Sequence, residues 1–229
     1  SSTSRGLGDV YKRQFFMYNA FSNDKTEIKL KGTVLYEVKD GVAVLTVDNP
    51  PVNPLSDGVR AGLYEGIANA EADDAVVGVV LTGKGRAFIG GADISEFGGE
   101  NVGQSLGSVF KKLEYCTKPV VAAINGLALG GGLETALCCN YRMASNTAFV
   151  GLPEVNLGLL PGAGGTQRLP RLVGPAEALK MMLSGAHVPA KKAHSLGIVD
   201  SLSDNVVEDA ITFIKDKAAN EDSHPLVRN

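Results

Sequence analysis

Gly130-Gly131-Gly132-Leu133-Glu134 is the centre of a stretch running from Asn125 to Gly165, and its order of parts governs how the rest of the chain is read. Ahead of it, Val120-Val121-Ala122-Ala123-Ile124 has the composition of a buried strand, and Asn125-Gly126 breaks that strand. The glycines then open a segment with helical spacing, Leu133 to Asn140, so strand gives way to bare backbone and then to a helix N-terminus. The amides of a first helical turn lack partners and carry partial positive charge, and residues without a Cβ let a substrate oxygen come close. This predicts a site for an anion. Glu134 follows Gly131 by about one helical turn, which puts a carboxylate near the same opening, among Leu133, Ala136, Leu137 and Cys138. Taken alone, it would serve equally as a helix N-terminal acid that complements the dipole.

The second half of the stretch adds another acid. Ala148-Phe149-Val150 reads as a short strand, and Pro153 holds Leu152 extended, so Glu154 leaves the strand on a fixed arc. The loop Asn156 to Arg168 is too rich in glycine and leucine for a solvated linker, and it leads into a further helix. A Pro-Glu pair by itself would mark a surface helix start; two glutamates bracketing a glycine-built anion site suggest shared chemistry.

Three phrases carry a resemblance: Ala122-Ala123-Ile124-Asn125-Gly126-Leu127-Ala128-Leu129-Gly130-Gly131-Gly132-Leu133-Glu134; Gly151-Leu152-Pro153-Glu154; and Leu160-Pro161-Gly162-Ala163-Gly164-Gly165-Thr166-Gln167-Arg168-Leu169. Together they resemble the enoyl-CoA hydratase/isomerase (crotonase) family, in the family's order and spacing, from about Val34 to the end of the chain. Asn49-Pro50-Pro51-Val52-Asn53 and Gly151-Leu152-Pro153-Glu154-Val155 are most similar to the hydratase part of bifunctional enoyl-CoA hydratase/3-hydroxyacyl-CoA dehydrogenases. The resemblance implies an α/β, crotonase-like (ClpP/crotonase) fold of repeated ββα units, with the C-terminal helical part incomplete. The domain expectation is an N-terminal extension over 1–32, disordered or foreign, a catalytic core over 33–203, and a truncated C-terminal helix and linker over 204–229.

Composition narrows the alternatives. A chain of 229 residues, 44% hydrophobic and 21% charged, can bury one large α/β domain. A formal net charge of −3 gives no basic surface on average, which argues against nucleic acid. No apolar run approaches the roughly 18 residues of a membrane span. Cys116, Cys138 and Cys139 lack metal-ligand spacing and read as buried thiols in a reducing compartment, and His187, His194 and His224 fall late and apart. The expectation is a soluble protein without a metal, in a bacterial cytoplasm or a reducing organelle such as the peroxisome.

In chain order, Ser1 to about Lys31 shows neither helical nor strand period. Thr33 to Val38 and Val42 to Val47 alternate around Asp40-Gly41 as a hairpin. A helix over Ser56 to Ala72 precedes the buried strand Val76 to Thr82, which implies a parallel crossover. The glycines from Gly83 to Ile94 match neither a phosphate loop nor a dinucleotide fingerprint. Gly98 to Gly107 reads as a mobile flap ahead of a helix from about Ser108 to Cys116. Helices over Gln167 to Leu172, Ala176 to Ser184 and Ala190 to Leu196, a strand over Ile198 to Leu202 and a helix over Asn205 to Ala219 complete the chain, and Glu221 to Asn229 reads as a linker.

The resemblance also assigns roles. It implies an oxyanion hole of the Ala92 and Gly131 amides, a coenzyme A site of Arg86, Ala87, Gly91, Ala92, Asp93, Ile94 and Gly131, Glu134 as activator of water, and Glu154 as proton donor. Two amides would stabilise the enolate-like transition state of water adding to a 2-enoyl thioester, and two acids would divide the proton work. The implied activity is enoyl-CoA hydratase, a hydro-lyase of fatty acid beta-oxidation. The alternatives are Δ3,Δ2-enoyl-CoA isomerase, with Glu154 shuttling the proton, and a non-catalytic acyl-CoA-binding fragment. No separate cofactor is implied, coenzyme A being part of the substrate. The expected partners are acyl-CoA and either further copies of the chain in a homo-oligomer or a covalently fused dehydrogenase part.

Overall fold

Alternating apolar residues around a turn that needs positive φ start the structure. The computed structural model describes residues 32–96, 103–221 and 223–227. Strands β1 (Thr33–Lys39) and β2 (Val42–Asp48) form an antiparallel hairpin in which Lys39 faces Val42. Asp40 and Gly41 at its turn take φ of 50° and 78°, the left-handed pair such a two-residue turn requires. β1 is an edge strand with Leu35, Tyr36 and Val38 exposed, whereas β2 is almost wholly buried. Helix α1 (Asp57–Ala72) then returns the chain to β3 (Gly78–Gly83), which pairs with β2 in parallel as the crossover requires.

β5 (Val120–Ile124), β7 (Tyr141–Ser145) and β10 (Ser201–Ser203) extend this into a six-stranded sheet of order β1-β2-β3-β5-β7-β10, parallel apart from the hairpin. Its inner strands are rich in apolar residues on both sides because both faces are covered. Ala43, Leu45, Val79, Leu81, Ala122 and Ile124 point to the main core, and Val42, Val44, Val80, Val121 and Ala123 point the opposite way.

A second sheet, which the sequence reading missed, is built from very short strands: β4 (Ala87–Ile89), β6 (Leu127–Leu129), β8 (Phe149–Gly151) and β9 (Val188–Pro189), in the order β4-β6-β8-β9. The expected repeat is visible in the connectivity. β3, β4 and helix α2 (Leu106–Glu114), then β5, β6 and helix α3 (Gly131–Cys138), then β7, β8 and helix α4 (Gly165–Val173) each place one strand in either sheet before a helix. The chain therefore does not pass straight from β5 to the helix at Gly131; β6 intervenes and sets that helix beside the smaller sheet. α2 starts at Leu106, inside the expected flap, because Ser105 Oγ accepts a hydrogen bond from Ser108 N (3.1 Å) and caps it. The rest of that flap, through residue 102, lies outside the described residues, as does the expected extension up to residue 31.

α5 (Pro175–Ser184) and α6 (Ala190–Ser195) follow. The helix expected after residue 204 is present and packs against the main sheet. α7 (Val206–Asn220) lays Val206, Ala210, Ile211 and Ile214 on Val42, Val44, Val80, Val121 and Met143, so it closes the second face of the main sheet. Each large side chain buried there contributes about 1.5–3 kcal/mol. Beyond it, Tyr141 Oη donates to Glu221 Oε2 (2.6 Å) and lies 3.0 Å from His224 Nδ1, and Asn140 Nδ2 donates to the carbonyl of Pro225 (3.2 Å). This part of the tail is tied down.

Candidate active site

The site begins with α3, whose eight residues are all buried although two are glycines and one is Glu134. Close packing explains the composition. A Cβ on Gly132 would stand 1.9 Å from the carbonyl oxygen of Ile89, so only glycine lets α3 lie against β4. Gly130, with φ 53° and ψ −124°, makes the sharp entry that no side chain would favour, and its N–H donates to Gly151 of β8 (2.9 Å). The smaller sheet thereby brings the N-terminus of α3 next to the start of the segment carrying Glu154.

At that N-terminus, Gly131 faces the turn after β4. A Cβ on Gly131 would stand 3.4 Å from the backbone nitrogen of Ala92 and 3.1 Å from Leu55 Cδ1. Among the described residues, neither the Gly131 nor the Ala92 N–H has a backbone acceptor. Two amides from different parts of the chain, neither with a backbone acceptor among the described residues, are thus neighbours. Leu55 N donates to the carbonyl of Gly91 (2.8 Å) in the turn bearing Ala92, and Asn53 Nδ2 donates to the carbonyls of Ala87 (2.8 Å), at the start of β4, and Lys84 (3.0 Å), in the turn ahead of β4. Asn125 Nδ2 donates to the carbonyls of Gly83 (2.8 Å) and Gly85 (2.9 Å).

Of the residues expected along this turn, Arg86 and Ile94 are exposed, and Gly91 and Ala92 line its inner bend. The carboxylate of Asp93 is buried and accepts from the backbone N (3.0 Å) and hydroxyl (2.6 Å) of Ser95, so it shapes the turn rather than facing outward. Ala87 is fully enclosed as the first residue of β4, and its carbonyl accepts from Asn53 Nδ2.

The two acids enter from opposite sides. Glu134 is 2% exposed, and its Oε1 accepts two hydrogen bonds, from Ala163 N (2.9 Å) and Gly165 N (2.8 Å). Burial pushes its pKa up, while those two amides and the positive charge of Arg168 pull it back. Glu154 opens a single 3-10 turn, Glu154–Leu157, after Pro153. Its Oε1 lies 3.2 Å from where a Cβ on Gly130 would be, and its Oε2 is the one fully enclosed side-chain oxygen without a hydrogen-bond partner among the described residues. Burial also raises its pKa; its own backbone N–H opposes this, and the charge of Glu134 adds to it. That electrostatic coupling places both carboxyls in one field.

Sequence reasoning missed the residues that hold these groups in place: Asn53, Asn125, and the pair Glu114 and Arg168, joined by a 2.8 Å hydrogen bond. The asparagines stood inside phrases already noted, and a polar side chain with no exposed turn to serve was the available signal. All three cysteines are free; Cys138 and Cys139 are buried, and burial pushes the Cys139 thiol up to about 12. Cys116, at about 11, is only half-buried. No group of three or more His, Cys, Asp or Glu that could hold a metal ion occurs among the described residues, and no helix among them is long and apolar enough to cross a membrane.

Two neighbouring amides beside glycine backbone, with two carboxyls of unlike surroundings near them, make an arrangement that could accept charge on an oxygen and move protons. The chain belongs to the enoyl-CoA hydratase/isomerase family, whose model matches residues 37–225. It is 50% identical over 177 residues to the peroxisomal bifunctional enzyme of Danio rerio, covering 77% of this chain and 25% of that protein. It is 46% identical over 168 residues to a probable enoyl-CoA hydratase of Bacillus subtilis, covering 69% and 64% respectively. Among solved structures, the enoyl-CoA hydratase of Mycobacterium tuberculosis matches with a TM-score of 0.76 and 34% identity over 82% of this chain and 76% of that one. The chain spans about a quarter of the length of the bifunctional relatives it resembles.

Proposed function

We propose that the chain hydrates 2-trans-enoyl-CoA to 3-hydroxyacyl-CoA by syn addition. The observation that carries this reading is the unequal treatment of the two acids. Glu134 has two N–H donors and a nearby cation, which favour its ionised form, whereas the enclosed Oε2 of Glu154 has no donor, which favours its protonated form. Glu134 takes a proton from water as the oxygen attacks C3, electron density moves through the double bond onto the thioester oxygen, and the N–H groups of Ala92 and Gly131 hold that charge. Glu154 then delivers its proton to C2, and exchange with solvent restores both acids. The exposed Arg86 and the bend from Gly91 to Ile94 receive the coenzyme A part of the substrate, chiefly through backbone, and no separate cofactor enters the reaction.

In the whole protein, the chain serves as the hydratase unit of a multifunctional beta-oxidation enzyme, of the peroxisomal or a bacterial kind, and a homo-oligomer of hydratase units is the alternative assembly. The test is loss of the conjugated-enoyl absorbance when crotonyl-CoA is added, with 3-hydroxybutyryl-CoA identified as product by mass spectrometry. Binding of acyl-CoA without turnover would overturn the reading. Conversion of a 3-enoyl to a 2-enoyl thioester without hydration would replace it with isomerisation through Glu154.

A further inference from the structure

The two hydrogen bonds on Glu134 come from one short turn, so whatever fixes that turn fixes the acid. The turn runs from Pro161 to Gly165, ahead of α4, and presents the N–H groups of Ala163 and Gly165 to the same oxygen, Oε1. Among the described residues Oε2 accepts no hydrogen bond, yet it is not one of the sealed, unpartnered atoms, so it is not fully enclosed. Gly164 between the donors has φ of 103°, and a Cβ there would stand 2.0 Å from Arg168 Nη1. The guanidinium therefore packs directly on the turn. Its Nη1 donates to the carbonyl of Ala163 (3.0 Å), and its Nε donates to Glu114 Oε1 (2.8 Å). Both side chains are largely buried, at 13% and 7% exposure, and Glu114 is the last residue of α2, so the guanidinium links α2 to the turn.

We propose that Arg168, held by Glu114, is a positioning residue for the general base: it braces the turn so that the Ala163 and Gly165 amides hold Oε1 of Glu134 and leave Oε2 to address water. This rests on the hydration reading above. A rigid fork is required, because one planar group must reach a carboxylate on α2 and a carbonyl on the turn together. Arg168 is also the cation acting on Glu134, while Glu154 and Glu114 are the acids around it and Cys138 lies against the same cluster.

The test compares the 229-residue chain with R168Q, R168K and E114Q in steady-state kinetics against pH, alongside Tm and the titration of the Glu134 carboxyl followed by 13C NMR without substrate. R168Q should lower kcat by about 10- to 100-fold, as small misplacement of a reacting group does, with KM changed by no more than about threefold. The acid limb of the kcat profile and the NMR titration of Glu134 should both move to higher pH, because the ionised form loses its cation. R168K should bring the limb back toward wild type while restoring kcat only in part. E114Q should move the limb the same way as R168Q but less far, because Arg168 then loses its anchor on α2 and braces the turn less firmly. Lower Tm and fewer active sites with unmoved limbs would show a merely structural ion pair and overturn the proposal. Should R168Q fail to fold, an unmoved limb in E114Q overturns it equally. The NMR titration separates the two readings: a chain that does not hydrate crotonyl-CoA defeats the proposed function, whereas an unmoved Glu134 titration in R168Q and E114Q defeats this one.

Discussion

Glu134 and Glu154 bring the same carboxyl group to the N-terminal end of α3, one from the first turn of that wholly buried helix and one from a single 3-10 turn after a proline. The first is held at one oxygen by two amides; the second has an enclosed oxygen with no donor at all. Burial pushes both toward the neutral form, and the donors around Glu134 oppose it. The difference between the two carboxyls thus lies chiefly in the backbone amides that reach Glu134. It also places the two stabilising amides on Glu134 in a loop about thirty residues downstream, which ties this carboxylate to the 161–165 turn.

The strongest way to break this comparison is to neutralise each acid in turn. Glutamine at 134 can still accept from both amides, so E134Q should keep its geometry and its acyl-CoA affinity yet lose turnover, and E154Q should behave alike. Removing a positioned acid or base costs about 10²- to 10⁴-fold. Turnover and equilibrium binding of a saturated acyl-CoA check both. Near-native kcat in either variant would free that residue from its role, and survival of E134Q alone would favour isomerisation.

The adjacent glycines sharpen the same contrast at a smaller cost. A methyl group on Gly132 would collide with the Ile89 carbonyl at 1.9 Å, so G132A should destabilise the fold by about 1–3 kcal/mol or more, the usual range for overpacking. A methyl on Gly131 meets Leu55 Cδ1 at 3.1 Å and Ala92 N at 3.4 Å, contacts a small shift can absorb, but it stands where the two amides converge. G131A should therefore fold with little loss of Tm and lose most of its turnover. Denaturant melts and kinetics on the two variants should give opposite patterns; equal loss of stability would show that Gly131 is needed for packing and not for access.

How far these features were legible in the sequence follows from their length and spacing. The buried run Val120–Ile124 and the amphipathic Val206–Asn220 announced themselves, because an apolar strand and a helical period need several residues to show. Leu127–Leu129 and Ala87–Ile89 did not, since three residues carry no period, and so the smaller sheet stayed hidden although it positions both acids. Glu134 and Glu154 were legible only through phrases shared with a family; their spacing alone fitted ordinary helix starts. Glu114 and Arg168, fifty-four residues apart, gave no local sign of meeting. The polar stretch after Asn220 shows no period, and the contacts of Tyr141 and Asn140 with Glu221 and Pro225 arise only once the sheet has folded.

The smallest expected effect concerns stability, and its sign follows from the raised acids. An exposed carboxyl in the unfolded chain titrates near its ordinary value, 4.5, whereas burial holds both glutamates above that in the fold. The native state thus binds more protons than the unfolded state between those values, and stability falls as pH rises through this window. Contributions present in full below about pH 4.5 are lost once the buried acids ionise. Glutamine cannot ionise, so E154Q should be more stable than the parent at pH 7.5, by about 2 °C in Tm, a shift that corresponds to less than 1 kcal/mol in a domain of this size. The gain should shrink toward zero at pH 4.5. E134Q should gain less, because glutamine forgoes the attraction of Arg168 that already offsets the burial of the native carboxylate. Thermal melts at the two pH values decide it: a Tm difference independent of pH would mean that E154Q acts through packing, and a larger gain for E134Q would reverse the order of the two acids on which the division of proton work depends.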